Sequence, residues 1–517
     1  MKKIEQIQQR KLVSAYGGVG SIIETASNGS LLIDTYDHWP CFSQQRMEQA
    51  NEGSVGKITD DRLLDFLRRN GYQHLTRLVP IPTDEINLYA PRALELQSTI
   101  QAEYFPKWFY CPYCRRLHKF ETWRTLWEQR FPRDNRFKKN FPACYNCSKQ
   151  NERGVNRTAL QQVRFVMASL ESGELKDIPF DEFFYSQPIG GVWGISRQRN
   201  SDELYYRTSS SGDGLNTICI ENRTLDQRVY ISAIANCYIV SNNKAYRLEL
   251  RGSQSLYFPA IIRSIYIPVK NANIGLGLDI QEFRFITDDA NFVDDKLIRP
   301  SLIVKRKNSL RMSLFVNRIS SIDRLKETSA LVYYTRMDLK SKQWYDPTTQ
   351  SIRDDVEPGK IYPINADSEW MPAVEAYGEG ILIEVDVENI VADDRELFVH
   401  TFCHIVMKEL EFQCGYPLTS LKEKIYIDNN NGQAGFLIYT VAGSEGSYGG
   451  LVSLTNSDKI VNLIERGCKR AKDCPNDPIC INEAEHHCYA CLDLPETSCC
   501  QFNKNLDRKL FLDYYEQ

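Results

Sequence analysis

Apolar positions along the chain follow three different rhythms, and each predicts a different kind of element. Over residues 59–70, Thr-Asp-Asp-Arg-Leu-Leu-Asp-Phe-Leu-Arg-Arg-Asn, they recur at helical spacing, with an acidic start, a basic end and Gly71 as the stop. Residues 400–415 and 457–472 repeat that rhythm and predict two more helices. Between about residues 228 and 268 strict alternation takes over. Arg228-Val-Tyr-Ile-Ser-Ala-Ile, Lys244-Ala-Tyr-Arg-Leu-Glu-Leu and Tyr257 to Pro268 read as strands joined by turns. Residues 161–180 read as a strand and a turn. The unbroken apolar runs at 381–383 and 434–441 predict strands buried on both faces. Helices and strands interleaved in this way predict a mixed α/β, multi-domain chain. Polar stretches at 209–214 and 340–359 suggest its joints. The expected division is an N-terminal domain over 1–180, a β-rich middle over 181–365 and a C-terminal α/β domain over 366–517.

Composition narrows this picture. A chain of 517 residues, at about 150 residues per domain, suggests three cores, and 42% hydrophobic residues is enough to fill them. No stretch approaches the roughly 18 apolar residues that span a bilayer, and the start, Met1-Lys-Lys-Ile-Glu, has no signal-like apolar region. A cytoplasmic protein without a membrane partner is expected. Sixteen cysteines in a reducing compartment point to metal ligation and small buried side chains rather than to bridges. A net charge of -4 exerts no global pull on nucleic acid, so any such binding needs a local patch.

The cysteines are not scattered. Cys111-Pro-Tyr-Cys114 and, 29 residues on, Cys144-Tyr-Asn-Cys147 have the layout of a zinc ribbon at about 108–150. Near the end Cys474, Cys480, Cys488, Cys491 and Cys499 offer five thiols, one more than a closed tetrahedral zinc site needs; disulfides are the alternative. Two Zn2+ per chain are expected. The ribbon's insertion is basic: Arg115, Arg116, Lys119, Arg124, Arg130, Arg133, Arg136, Lys138 and Lys139 against Glu121, Glu128 and Asp134. Phe120, Trp123, Trp127, Phe131 and Phe137 are interleaved with them. Cations for phosphates beside rings for bases describe a surface for single-stranded nucleic acid; the competing reading is a solvated face over a small aromatic core.

Other candidates are weaker. Gly17-Gly18-Val19-Gly20 is either a turn or an anion cradle, and Gly53-Ser-Val-Gly56-Lys57 has the wrong spacing for a P-loop. The acidic run 287–295 lacks EF-hand spacing and reads as a solvated loop. Glu379 between two glycines reads as a turn residue or an acid/base, and His404 as a packed or capping side chain on its helix. A metal-assisted nuclease or hydrolase using Glu375, Glu379, Glu384 and His404 is the rival to a non-catalytic protein. A scaffold without nucleic-acid contact is a third reading. No NTPase motif, phospholipase-type HxK pair or Gly-x-Ser-x-Gly elbow is present.

Four blocks together resemble the DrmB family, the B component of bacterial DISARM antiphage systems. They are Tyr16-Gly-Gly-Val-Gly-Ser with Asp37-His-Trp-Pro40; Leu250-Arg-Gly-Ser-Gln-Ser-Leu-Tyr-Phe-Pro259; Gly378-Glu-Gly-Ile381; and His487-Cys-Tyr-Ala-Cys-Leu-Asp-Leu-Pro-Glu-Thr-Ser-Cys499 with Asn505-Leu-Asp-Arg508. The last block resembles the helicase-associated zinc-binding domain. The resemblance implies a non-catalytic subunit that partners a helicase-type, DrmA-like component and helps to hold DNA, single-stranded or with single-stranded ends. It implies Cys480, Cys488, Cys491 and Cys499 as terminal ligands, with Cys474 as the alternative, and Cys111, Cys114, Cys144 and Cys147 as the first site. Where relatives carry Ala-Cys-x-x-Gly-His-Leu, this chain has Ala168-Ser-Leu-Glu-Ser-Gly-Glu-Leu175, and of a possible partner pair only Cys219 remains. A further metal site of relatives is expected to be lost there.

Overall fold

The computed structural model describes the chain outside residues 1–6, 8, 15–16, 26–28, 44–46, 48–57, 83–98, 135–140, 153, 196–202, 210–213, 270–275, 311–312, 338–342, 354–359, 416, 442–449, 483–485, 496–497 and 517. With 27% helix against 35% strand, it is the mixed α/β, multi-sheet chain that the alternating rhythms predict.

Two long antiparallel strands, Val316–Thr335 and Trp370–Val385, form the spine of a nine-stranded sheet. Their register slips between Ile322 and Leu325, opposite Gly380 and Gly378, and the sheet changes partners there. On one side of the slip Leu302–Arg306 and Gln433–Val441 flank the spine, and Lys422–Asp428 pairs beyond the latter. On the other side Phe258–Ile265 and the parallel strand Arg77–Pro80 flank it. The sheet therefore takes strands from all three expected segments.

Side chains alternate across this sheet, and both faces are covered. Ile381, Ile383, Phe436 and Ile438 pack beneath the helices Arg395–Cys414 and Lys459–Arg470. Leu382, Leu437, Tyr439 and Tyr426 face the helix Leu278–Thr287 through Phe283 and Ile286. Burial on both sides explains why 381–383 and 434–441 lack the polar alternation of a half-exposed strand. Buried charge is neutralised locally. Glu327 accepts from Lys422 at 2.7 and 3.0 Å and from Tyr439 at 2.5 Å.

The helix at 59–70 forms as Asp61–Arg69, its first turn capped when Asp60 accepts the Leu63 N–H, and it ends before Gly71 at φ +102°. The expected strand at 228–234 is corrected. Gln227–Tyr230 is a strand, but Ile231–Ala235 turns into a helix that buries Ile231 and Ile234 together, which a strand cannot do. The opening glycines are buried, so the anion cradle is also corrected. A Cβ on Gly18 would lie 2.4 Å from the Tyr257 hydroxyl, and one on Gly20 would lie 2.4 Å from the Tyr334 ring. The turn 53–57 lies outside the described residues. No helix among the described residues is long and apolar enough to cross a membrane.

Candidate metal centres and nucleic-acid surface

The first knuckle follows the strand Trp108–Tyr110, which pairs with Leu117–Lys119 on one side and Gln161–Gln162 on the other. The chain reverses within it because Arg115 adopts φ +64° and donates its N–H to the Cys111 carbonyl at 2.9 Å. The second knuckle precedes the hairpin of Lys149–Asn151 and Gly154–Asn156. Folding brings Cys111 within 3.7 Å of Cys147 and Cys114 within 3.7 Å of Cys144, sulfur to sulfur. All four sulfurs lie within 4.8 Å of one another. A tetrahedral zinc with Zn–S bonds of about 2.3 Å requires S···S edges of about 3.8 Å, so the donor set fits the ion. The Cys147 N–H pointing at Cys144 Sγ at 3.3 Å supplies the amide-to-sulfur contact that stabilises a thiolate.

The rings of the insertion are its core. Trp123 and Trp127 are fully buried and Phe131 nearly so, packed with Phe109, Cys111 and Leu160. Trp123 donates its indole N–H to the Phe109 carbonyl at 2.8 Å, and Arg157 lies over Trp127. The expectation that these rings stack on bases is overturned for Trp123, Trp127 and Phe131, because a base cannot reach them. Phe120 is half-buried in the same cluster, and Phe137 lies outside the described residues. His118, edge-on to Trp123 at 5.0 Å, has its pKa pushed down to about 4 by burial and, secondarily, by the Arg116 charge.

The basic side chains divide between two places. Arg115, Arg116 and Lys119 are half-buried: Arg115 reaches Thr208, Arg116 faces Glu203 and the Tyr205 ring, and Lys119 lies over Trp108. Arg124 is half-buried on the helix Phe120–Arg130, and Arg130 and Arg133 are exposed where that helix ends. With Asp134, Gln150 and Gly154, those two arginines line an open groove of about 640 Å³. Arg136, Lys138 and Lys139 lie outside the described residues.

The terminal site differs from the expected one. Its four thiols are Cys474, Cys480, Cys488 and Cys491, all within 4.8 Å of one another, with Cys474–Cys488 at 3.5 Å and Cys480–Cys491 at 3.7 Å. Cys474 follows the helix Lys459–Arg470, and Cys480 sits in the short helix Ile479–Asn482. The Cys488 N–H points at Cys491 Sγ at 3.3 Å, and the Asn476 side-chain amide at Cys488 Sγ at 3.3 Å. Burial raises the Cys488 pKa, but the Ala490 and Cys491 amides and Asn476 outweigh it and bring the thiol down to about 7. Asp477 accepts from the Cys474 N–H and pairs with the fully buried Arg508, which ties the loop to the last helix, Arg508–Tyr515. Cys499 is the correction. Ser498, hydrogen-bonded through its hydroxyl to the Leu418 carbonyl and through its own carbonyl to the Glu423 N–H, fixes the chain against the sheet and carries Cys499 away from the tetrad. Cys499 lies instead with His400, His404 and Glu423, in a buried cluster that the sequence reading missed. The available signal was His400 and His404, four residues apart and so on one face of a helix.

The acids of the rival reading are not brought together. Glu375 pairs with Lys326 at 2.7 Å and Glu384 with Arg318 at 3.0 Å, while Glu379 accepts the Leu451 N–H at 2.6 Å. His404 lies 3.2 Å from Glu423. The acidic run is likewise spoken for at Asp289, which pairs with Arg306 and Arg318.

Residues 8–258 match a family model described as a domain of unknown function, DUF8724. The chain is 33% identical over 244 residues to the DISARM protein DrmB of Bacillus paralicheniformis, covering 38% of this chain and 41% of that protein. It therefore spans less than half the length of that curated relative. A crystal structure of the DUF1998 helicase MrfA bound to DNA is similar at 12% identity and a TM-score of 0.23, over 44% of this chain and 26% of that one. At that score the likeness carries no argument.

Proposed function

We propose that the chain is a zinc-stabilised, non-catalytic subunit of a bacterial DISARM-like defence complex, where it partners a helicase-type component and helps to hold DNA. The observation that carries this reading is the 33% identity to the DISARM protein DrmB. Two features support it. Each cysteine tetrad supplies all four ligands that a tetrahedral zinc takes, so the metal would act as a staple, with no position left for a substrate. Exposed Arg130 and Arg133 at the rim of an open groove offer two charges for phosphates without competing for the ribbon's core.

Salt-dependent binding tests the nucleic-acid part. The purified chain, alone or with its helicase-type partner, is expected to bind single-stranded DNA with log Kd linear in log salt. Reversing Arg130 and Arg133 to Glu should flatten the slope by about 1.4, at about 0.7 per phosphate contact on a single strand. The metal content and circular dichroism should be unchanged. An unaltered slope would remove these residues from the interface, and binding indifferent to salt would end the phosphate-contact reading.

A further inference from the structure

Where the tail crosses the long helix Arg395–Cys414, four buried side chains from three separate parts of the chain converge. His400 and His404 come from the helix, Glu423 from the strand Lys422–Asp428, and Cys499 from the tail. Both histidines and the glutamate are fully buried, and Cys499 is 2% exposed. Their donor atoms all lie within 4.8 Å of one another.

Hydrogen bonding fixes which atoms face inward. His400 Nδ1 lies 3.0 Å from the Asn505 carbonyl and His404 Nδ1 lies 2.9 Å from the Leu492 carbonyl. A carbonyl only accepts, so both Nδ1 atoms carry a proton, and the Nε2 of each ring, a lone pair whenever the imidazole is neutral, faces the cluster. Those lone pairs meet further acceptors: Glu423 Oε1 at 3.1 Å from His400 Nε2, and Oε2 at 3.2 Å from His404 Nε2. The second contact is close but lacks hydrogen-bond geometry. His404 Nε2 and Glu423 Oε2 both remain buried without a hydrogen-bond partner. Cys499 Sγ stands 3.4 Å from His400 Nε2 and receives the N–H groups of Gln501 at 3.3 Å and Asn503 at 3.2 Å. Cys144 and Cys491 in the two tetrads show the same amide-to-sulfur arrangement.

With both Nε2 atoms unprotonated and Cys499 a thiolate, the four groups are acceptors converging in a buried space, and a cation between them would satisfy all four at once. We infer that His400, His404, Glu423 and Cys499 form a third, structural zinc site. A tetrahedral ion with bonds of about 2.0–2.1 Å to nitrogen, 2.0–2.2 Å to oxygen and 2.3 Å to sulfur sets N···O edges of about 3.4 Å and N···S edges of about 3.6 Å. The His400 Nε2 separations from Glu423 Oε1, 3.1 Å, and from Cys499 Sγ, 3.4 Å, lie within about 0.3 Å of these, and all four donor atoms lie within 4.8 Å of one another. Two neutral imidazoles, one carboxylate and one thiolate neutralise Zn2+, as a fully buried site requires, and the backbone carbonyls on both Nδ1 atoms orient the ligands. The site would lock the tail to the helix and the sheet, and it raises the expected zinc content from two to three.

Metal analysis and zinc X-ray absorption on the full chain, purified without added chelator, test the assignment. The expected result is three zincs per chain, with nitrogen and oxygen making up about a quarter of the ligands. His404→Gln and Glu423→Gln should each retain two zincs with an all-sulfur ligand shell. Two zincs and an all-sulfur shell in the wild-type chain would overturn the proposal, as would three zincs retained in both variants. Should either variant fail to fold, the wild-type ligand shell still decides.

Discussion

Replacing Cys474 with Ser should separate two halves of the C-terminal tail that the structure holds by different means. Among the described residues of 474–491, Ile479 is 68% and Tyr489 74% exposed, Ile481 is half-buried, and the buried side chains are the thiols Cys474 and Cys480, with Cys491 packed against the edge of the core. Ordering backbone costs about 1–2 kcal/mol per residue, and without a metal this loop has almost no apolar burial to offset it. After Cys491 the balance reverses. Leu492, Leu494, Leu506 and Phe511 are all at or below 4% exposure in the core beneath the long helix. At about 1.5–3 kcal/mol each they contribute roughly 6–12 kcal/mol of burial, an upper estimate because the unfolded chain already buries part of that surface. Cys474→Ser should therefore lower the zinc content by one and abolish hydrogen-exchange protection in peptides from 474–491. Protection in 492–515 should stay within about 1 kcal/mol of the wild-type value. Hydrogen-exchange mass spectrometry resolves the two. Equal loss of protection across 474–515 would refute the reasoning, because the tail would then be one cooperative unit held by the tetrad.

Two further substitutions probe the central sheet. Burial alone would raise the Glu327 carboxyl, but Lys422, Arg263 and the Tyr439 hydroxyl reverse this and hold it well below the usual carboxylate range, so it stabilises the fold above about pH 4.5 and that contribution fades as pH falls. Lys422→Met strands the carboxylate at a cost of about 3–5 kcal/mol, a fall in Tm of roughly 3–5 °C by calorimetry for a chain of this length; the deficit should be largest near pH 7 and shrink as pH falls through and below 4.5, and a deficit independent of pH would exclude this origin. Gly378→Ala would place a Cβ 2.0 Å from the Thr440 carbonyl oxygen, which moves only if the two strands part, whereas Gly252 has open space around it. Gly378→Ala should cost at least about 3 kcal/mol in urea unfolding and Gly252→Ala less than about 0.5; similar values for the two would refute the close-approach argument.

What the sequence revealed depended on how local each constraint is. Asp60 capping and Gly71 ending one helix, and the two x2 knuckles of the ribbon, are settled within a few residues, so periodicity and spacing found them. Ile231–Ala235 alternates like a strand but is a helix because both of its isoleucines are drawn into one core. Gly378 and Gly380 bracket Glu379 in a way that suggested a turn, yet they sit mid-strand, where the neighbouring strand's backbone passes too close for a side chain. The terminal ligand set failed for a similar reason. Spacing left five thiols open and the family resemblance implied Cys499, while the structure selects Cys474 because Ser498, Leu418 and Glu423 hold the tail elsewhere. Contacts across 80 residues leave no trace in cysteine spacing.

Burial of the ribbon's rings also changes what kind of nucleic-acid contact the proposed function can include. With Trp123, Trp127 and Phe131 in the core, the tetrad of Cys111, Cys114, Cys144 and Cys147 and the aromatic cluster support each other, and the helix Phe120–Arg130 becomes a rigid mount for charge. The terminal loop has no such core and relies on its metal. A surface that offers guanidinium groups but few exposed rings gains its affinity from phosphates. Base stacking, worth about 1–3 kcal/mol per base where it occurs, contributes little. The proposed interface should therefore be steep in salt and indifferent to base, holding oligo-dT and oligo-dA of equal length about equally well. Sequence selection in such a complex would have to come from another component.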